Sequence, residues 1–173
     1  MITFSDLIMN ISKSSRHSKI AGDFGEALFL YWLSKSGYEI ALVDHTGIDL
    51  VAYDKKTEKR YGISVKTRTR STPGTENEGF YVKPDNIDKV KEACIHFACE
   101  PYFGIVVDRP PKLDAFLVSL DDIIKINGIG KIHINIKVNE KYLRQYMKLK
   151  NTLTIRMEYD ELSTFESEQG HSL

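Results

Sequence analysis

Apolar residues recur at two different spacings along the chain, and these predict alternating helices and strands. Between about Ile20 and Ser34 the spacing is helical, through Phe24, Ala27, Leu28, Tyr31 and Trp32. Ser36-Gly37 is a typical helix stop. Four further helices are predicted over Phe4 to about Ser12, from Pro84 onward, at Asp121-Asp122 and over Lys141 to Lys150.

Extended segments fill most of the remaining chain. Residues 38–43, 47–53 and 61–69 are rich in β-formers, and the polar segment DKKTEKR separates the last two as a turn. Further strands are predicted over residues 102–108, 113–120, 133–138 and 153–159. Helices interleaved with strands in this order predict an α/β fold with a mixed central β-sheet flanked by helices.

Composition places the chain among ordinary globular proteins. Its 173 residues, 42% hydrophobic and 28% charged, suffice for one domain, which we assign to residues 1–157. No apolar run reaches the ~20 residues of a membrane span, so no membrane partner is expected. Two cysteines, Cys94 and Cys99, are too few for a disulfide framework and favour the cytoplasm.

The net charge of zero conceals an uneven distribution. Five acids and no Lys or Arg follow Arg156, which marks residues 158–173 as an acidic C-terminal tail. Since 24 acids balance 24 Lys and Arg over the whole chain, the body before this tail carries five uncompensated positive charges. A mildly basic body is compatible with a nucleic-acid partner.

Chemistry-bearing residues concentrate on a predicted hairpin. If its turn centres on Lys56-Thr57, facing residues have numbers that add to 113, and Asp49 lies across from Ser64. Strand alternation then places Ser64, Lys66, Arg68 and Arg70 on one face. An ammonium inside a β-rich strand needs an anion or a water-filled cleft, so Lys66 marks a candidate site.

This arrangement resembles the PD-(D/E)XK nuclease superfamily, which includes restriction endonucleases and Holliday-junction-resolvase-like proteins. Gly47-Ile48-Asp49 matches the first motif, and Ser64-Val65-Lys66 matches the second with serine in place of its acid. The segment GDFGE, which ends at Glu26, is similar to the helical acid of many members. The resemblance covers about residues 19–107 and implies a restriction-endonuclease-like core.

The resemblance also implies a mechanism and a set of roles. Mg²⁺ or Mn²⁺ would be held by Asp49 as the central ligand and by the Val65 carbonyl, with Glu26 binding the metal through water or orienting the site, and phosphodiester hydrolysis would follow. Lys66 would position or deprotonate the attacking water, beside Ser64. Arg68 and Arg70 would contact backbone phosphates of DNA, either duplex or branched. A homodimer is a reasonable expectation because a duplex has two strands to cut.

Serine at position 64 leaves two alternatives open. In some restriction endonucleases of the superfamily an acid further along the chain replaces the missing carboxylate, and the candidates here are Glu76, Glu78, Asp88 and Glu92. Glu78 has a spacing close to the one expected and is our choice as the additional metal ligand. The alternative is a catalytically inactive nucleic-acid-binding module on the same fold. A protein-interaction domain whose polar hairpin is coincidental is a third hypothesis.

Overall fold

The structure is a computed structural model that describes residues 14–70, 79–128, 134–150 and 152–159. The helices in this part of the chain are α1 (His17–Lys35), α2 (Pro84–His96), α3 (Leu120–Asn127) and α4 (Glu140–Met147). The strands are β1 (Tyr38–His45), β2 (Ile48–Asp54), β3 (Lys59–Thr69), β4 (Phe80–Val82), β5 (Glu100–Arg109), β6 (Lys112–Ser119), β7 (Ile134–Ile136) and β8 (Leu153–Glu158). The helix predicted over Phe4 to Ser12 lies outside the described residues.

Six strands form a mixed sheet in the order β1-β2-β3-β5-β6-β8. β3 and β5 run parallel, which requires the crossover through α2, and all other neighbours are antiparallel. β4 and β7 form a separate antiparallel pair. The predicted mixed sheet flanked by helices is therefore confirmed.

Each face of the sheet buries its own apolar core. On one face α1 contributes Leu28, Phe29 and Leu33, which pack with Leu50 and Ile63. On the other face α2, α3, α4 and the β4–β7 pair enclose a larger cluster. Because both faces are covered, the central strands are apolar on both sides, and β5 is buried almost throughout.

The predicted apolar stripe of α1 was partly wrong. Phe24 is 45% exposed and Tyr31 is 59% exposed. The buried residues are Ala21, Gly25, Leu28, Phe29 and Leu33. The reason is close approach: a Cβ on Gly25 would lie 2.1 Å from Thr67 Oγ1, and the Phe29 ring covers Gly104 of β5. Glycine on α1 and on β5 therefore lets the side of α1 that carries Gly25 and Phe29 pack against the sheet.

Short polar side chains cap the N-termini of α3 and α4, on the face of the sheet opposite α1. The Ser119 hydroxyl accepts from the Asp122 amide, which fixes the start of α3 close to the predicted Asp121-Asp122 position. The Asn139 side chain caps α4 in the same way. α4 ends at Met147, earlier than the predicted Lys150.

One carboxylate is buried within the sheet. Asp114 of β6 is completely inaccessible, and it accepts from Arg156 Nε at 2.6 Å and from Arg109 Nη2 at 3.4 Å. Arg109 also pairs with Glu140 of α4 at 2.8 Å. This network joins β5, β6, β8 and α4 away from the hairpin. Among the described residues no helix has both the length and the apolar composition that a membrane crossing requires.

Candidate active site

The site begins where β2 and β3 separate. Their ladder runs from Asp54–Lys59 to Leu50–Ile63, and the residue numbers of each facing pair add to 113, so the predicted hairpin register is confirmed. β3 continues to Thr69 beside β5, whereas the ladder to β2 has ended. The backbone groups that follow Ile63 therefore lack β2 as a ladder partner on one side.

Asp49 replaces the missing ladder at this fork. Its Oδ2 accepts a hydrogen bond of 2.6 Å from the Val65 backbone amide. A charge-assisted bond of this kind satisfies an amide that the diverging strand no longer reaches. Among the described residues nothing donates to Oδ1, so this carboxylate oxygen remains available as a ligand.

Lys66 folds back over its own strand. Its ammonium donates to the Ser64 hydroxyl at 2.9 Å and to the Val65 carbonyl at 3.0 Å. Ser64 is only 4% exposed. Burial lowers the pKa of Lys66 below its ordinary value, while the negative charges of Asp49 and Glu26 act in the opposite direction.

These side chains line one cavity of about 250 Å³ between the hairpin and α2. Its wall consists of Thr46, Gly47, Asp49, Ser64, Lys66, Val82, Asn86, Lys89, Val90 and Phe103.

Sequence reasoning missed Asn86 and Lys89. Their three-residue spacing beside buried Val90 was a usable signal, although the periodicity alone does not say which flank of α2 faces the cavity. A larger depression of about 510 Å³ follows the exposed side of α4 and contains none of the predicted site residues.

Gly47 fixes the distance between the hairpin and α2. Its φ is +106°, and an added Cβ would lie 2.4 Å from the Lys89 carbonyl oxygen. Only glycine tolerates both this conformation and this approach. The contact sets the turn of α2 that carries Lys89 directly against the segment that leads into Asp49.

Glu26 reaches the neighbourhood from the other side of the sheet. It follows Gly25, whose missing side chain lets α1 approach Val65 and Thr67 of β3. The pKa of Glu26 is raised chiefly by burial and secondly by the negative charge of Asp49. Glu26 is thus electrostatically coupled to Asp49 and Lys66, but it does not line the cavity with Asp49, Ser64 and Lys66.

The remaining predicted residues lie farther out. Arg68 is exposed and its guanidinium sits 5.5 Å from the centre of the Phe80 ring. Arg70 follows β3, and its amide donates to the Asp108 carbonyl at 2.8 Å. Neither arginine lines the cavity, and neither do Asp88 and Glu92 of α2. Glu76 and Glu78 lie outside the described residues.

The oxygen donors at the fork fit a hard cation that keeps several water molecules as ligands. Within the described ranges no group of three or more His, Cys, Asp or Glu side chains is positioned to hold a metal. The oxygen donors at the fork are Asp49 Oδ1 and the Val65 carbonyl, which also accepts from Lys66, while the Glu26 carboxyl is coupled to them electrostatically from the other side of the sheet. Mg²⁺ commonly takes one or two carboxylates and completes its shell with water and substrate phosphate. This set fits Mg²⁺ or Mn²⁺ rather than a metal that requires several soft ligands.

The chain is similar to solved structures at low sequence identity. The chain is similar to Hjc, a Holliday junction resolvase from the archaeal hyperthermophile Archaeoglobus fulgidus, at 17% identity and a TM-score of 0.53, over 72% of this chain and 88% of that one. It is also similar to a restriction endonuclease in complex with substrate DNA, at 14% identity and a TM-score of 0.42, over 87% of this chain and 74% of that one. No family model and no curated protein matches the chain.

The fold class is therefore restriction-endonuclease-like, as predicted. The archaeal resolvase is the neighbour that carries this conclusion, since it matches over most of its own length. The assignments of domain and tail, of cytoplasmic location and of a homodimer stay predictions.

Proposed function

We propose that the chain is a metal-dependent endonuclease-like protein that hydrolyses phosphodiester bonds of DNA. The observation that carries this proposal is the fork of the hairpin. There Asp49, Ser64 and Lys66 line one cavity, and Asp49 is held by the Val65 amide. The archaeal neighbour is a Holliday junction resolvase, which supports DNA as the substrate and branched DNA as one form of it.

The chain's residues have separable roles in this proposal. Asp49 and the Val65 carbonyl would hold Mg²⁺ or Mn²⁺, with Glu26 acting through a water, and the metal would supply charge neutralisation at the phosphate and a more acidic water. Lys66 lies beside the same carbonyl, where its ammonium orients a water and offsets phosphate charge. Hydrolysis adds this water across one P–O bond and leaves a phosphate monoester and a free hydroxyl. Arg68, which is exposed near the end of β3, would contact a flanking phosphate, with Arg70 just beyond the strand.

A second candidate function is DNA binding without cleavage. The specific observation in its favour is the composition of the cavity wall. Ser64 stands at the position of the second acid, and α2 presents Asn86 and Lys89 to the cavity rather than Asp88 or Glu92. The Val65 carbonyl, moreover, already accepts a hydrogen bond from Lys66.

Nicking of supercoiled plasmid in Mg²⁺ or Mn²⁺ distinguishes the two functions. We expect wild type to nick, Asp49→Ala to be inactive, and Lys66→Ala to lose about 10²-fold or more, the usual loss when one charge-stabilising donor is removed. Asp121→Ala and Lys56→Ala, which change exposed residues outside the cavity, are matched controls and should nick normally.

The serine provides a further test of the same site. Ser64→Ala should retain most nicking if serine is not a ligand, and Ser64→Glu adds a carboxylate beside Asp49. If wild type is inactive and Ser64→Glu nicks in a metal-dependent way, the result supports the binding function for wild type. Nicking that survives Asp49→Ala contradicts the proposed mechanism in either form.

A further inference from the structure

The α2 wall of the cavity carries positive charge. Lys89 lines the cavity from α2 and Lys66 from β3, while Asp49 is the only carboxylate that the described residues contribute to the lining. One oxygen of Asp49 is already engaged by the Val65 amide. Among the described residues the lining therefore holds two lysines and one carboxylate, of which one oxygen is already engaged.

Lys89 has no acidic partner among the described residues, in contrast to several surface lysines. Lys59 pairs with Glu100 at 2.7 Å, and Lys19 pairs with Asp23 at 3.1 Å. Lys89 is exposed, yet its backbone is held firmly because its carbonyl lies against Gly47. An ammonium on a fixed turn, open to a cavity, is positioned to bind an anion from solution.

The neutral groups of the wall favour the same kind of ligand. The Ser64 oxygen accepts from Lys66, so its own hydrogen is available for donation. The Asn86 side chain offers two N–H donors one helical turn before Lys89. Apart from Asp49, these polar residues of the lining all carry hydrogen-bond donors, and phosphate oxygens are strong acceptors.

We propose that Lys89 and Asn86, together with Lys66, form a binding subsite for one backbone phosphate of DNA. This inference rests on the proposed function, which brings DNA to the cavity. Lysine binds phosphate as a point charge. Lys89 is therefore a phosphate-binding residue on the α2 side of the cavity, opposite the Asp49 side.

The test is DNA binding in EDTA, where metal-dependent cleavage is absent. Fluorescence anisotropy with a labelled duplex of about 20 base pairs is recorded from about 50 to 200 mM NaCl, because each phosphate contact contributes about 0.9 to the slope of log K against log salt. We expect Lys89→Met and Lys89→Gln to weaken binding ~3–10-fold and to lower the slope by about one contact. Lys91→Met, on the same helix but outside the cavity wall, is the matched control and should keep the wild-type slope.

The outcomes separate this inference from the function on which it rests. If the Lys89 variants keep the wild-type slope, or if Lys91→Met lowers it equally, the subsite is wrong even where wild type nicks plasmid. If wild type never nicks but the slope depends on Lys89, cleavage is wrong and the subsite stands. Asn86→Ala should weaken binding without lowering the slope, since it removes no charge, and unchanged affinity removes Asn86 from the subsite.

Discussion

Gly47→Ala should damage the site without altering any functional side chain. The residue has a φ of +106°, and its new Cβ would lie 2.4 Å from the carbonyl oxygen and 2.6 Å from the carbonyl carbon of Lys89. Backbone atoms of a helix cannot rotate away as the end of a side chain can. We therefore expect α2 to shift away from the hairpin and to carry Lys89 away from Asp49.

The magnitude follows from two separate contributions. An L-residue forced into a sparsely populated φ region costs about 1–3 kcal/mol. Overpacking adds about 1–3 kcal/mol where the neighbours must move. Gly37→Ala is the matched control, since its φ is +92° and an added Cβ meets nothing within 4 Å. The control therefore contains the first contribution and lacks the second.

Thermal unfolding and DNA binding together provide the assay. For a chain of this size 1 kcal/mol corresponds to about 2–4 °C in Tm, so Gly47→Ala should unfold about 2–12 °C below Gly37→Ala. DNA affinity should fall for Gly47→Ala and stay at the wild-type value for Gly37→Ala. Equal Tm values combined with unchanged DNA binding in both variants would refute the role assigned to this contact.

Two further predictions concern charged groups. The raised pKa of Glu26 means that its ionised form is less favourable in the folded chain than in the unfolded one. Glu26→Gln should therefore raise Tm near neutral pH. The gain should disappear below the ordinary pKa of 4.5, where the carboxyl is protonated in both states. Differential scanning fluorimetry at the two pH values measures this, and an equal gain at both contradicts it. Asp114→Asn leaves Arg156 and Arg109 without their buried anion. It should lower the free energy of unfolding by about 2–4 kcal/mol after allowance for the partial exposure of Arg156. Urea unfolding measures this loss, and a value below about 1 kcal/mol would show that the network contributes little.

The hairpin was the most predictable part of the molecule. Its register depends on a short polar turn between two alternating strands, and local spacing is sufficient to bring Asp49 near Ser64 and Lys66. The mixed sheet followed from the order of helical and extended segments. The metal, DNA and catalytic assignments of these residues remain proposals to be tested by the experiments above.

Tertiary packing determined what the sequence pattern did not reveal. The rotation of α1 depends on Gly25 meeting Thr67, two residues that are 42 positions apart in the printed sequence. The contribution of Lys89 depends on the contact of α2 with Gly47. Periodicity identifies the buried stripe of a helix, but it does not indicate which polar flank borders a cavity.

The hydrogen bond from Val65 to Asp49 also makes the site observable by NMR spectroscopy. A backbone amide that donates at 2.6 Å to a carboxylate has a proton whose chemical shift follows the charge on that carboxylate. A cation that binds Asp49 withdraws electron density, lengthens the bond and moves the Val65 signal. One peak in an amide spectrum thus reports ligand arrival at the fork before any chemistry occurs.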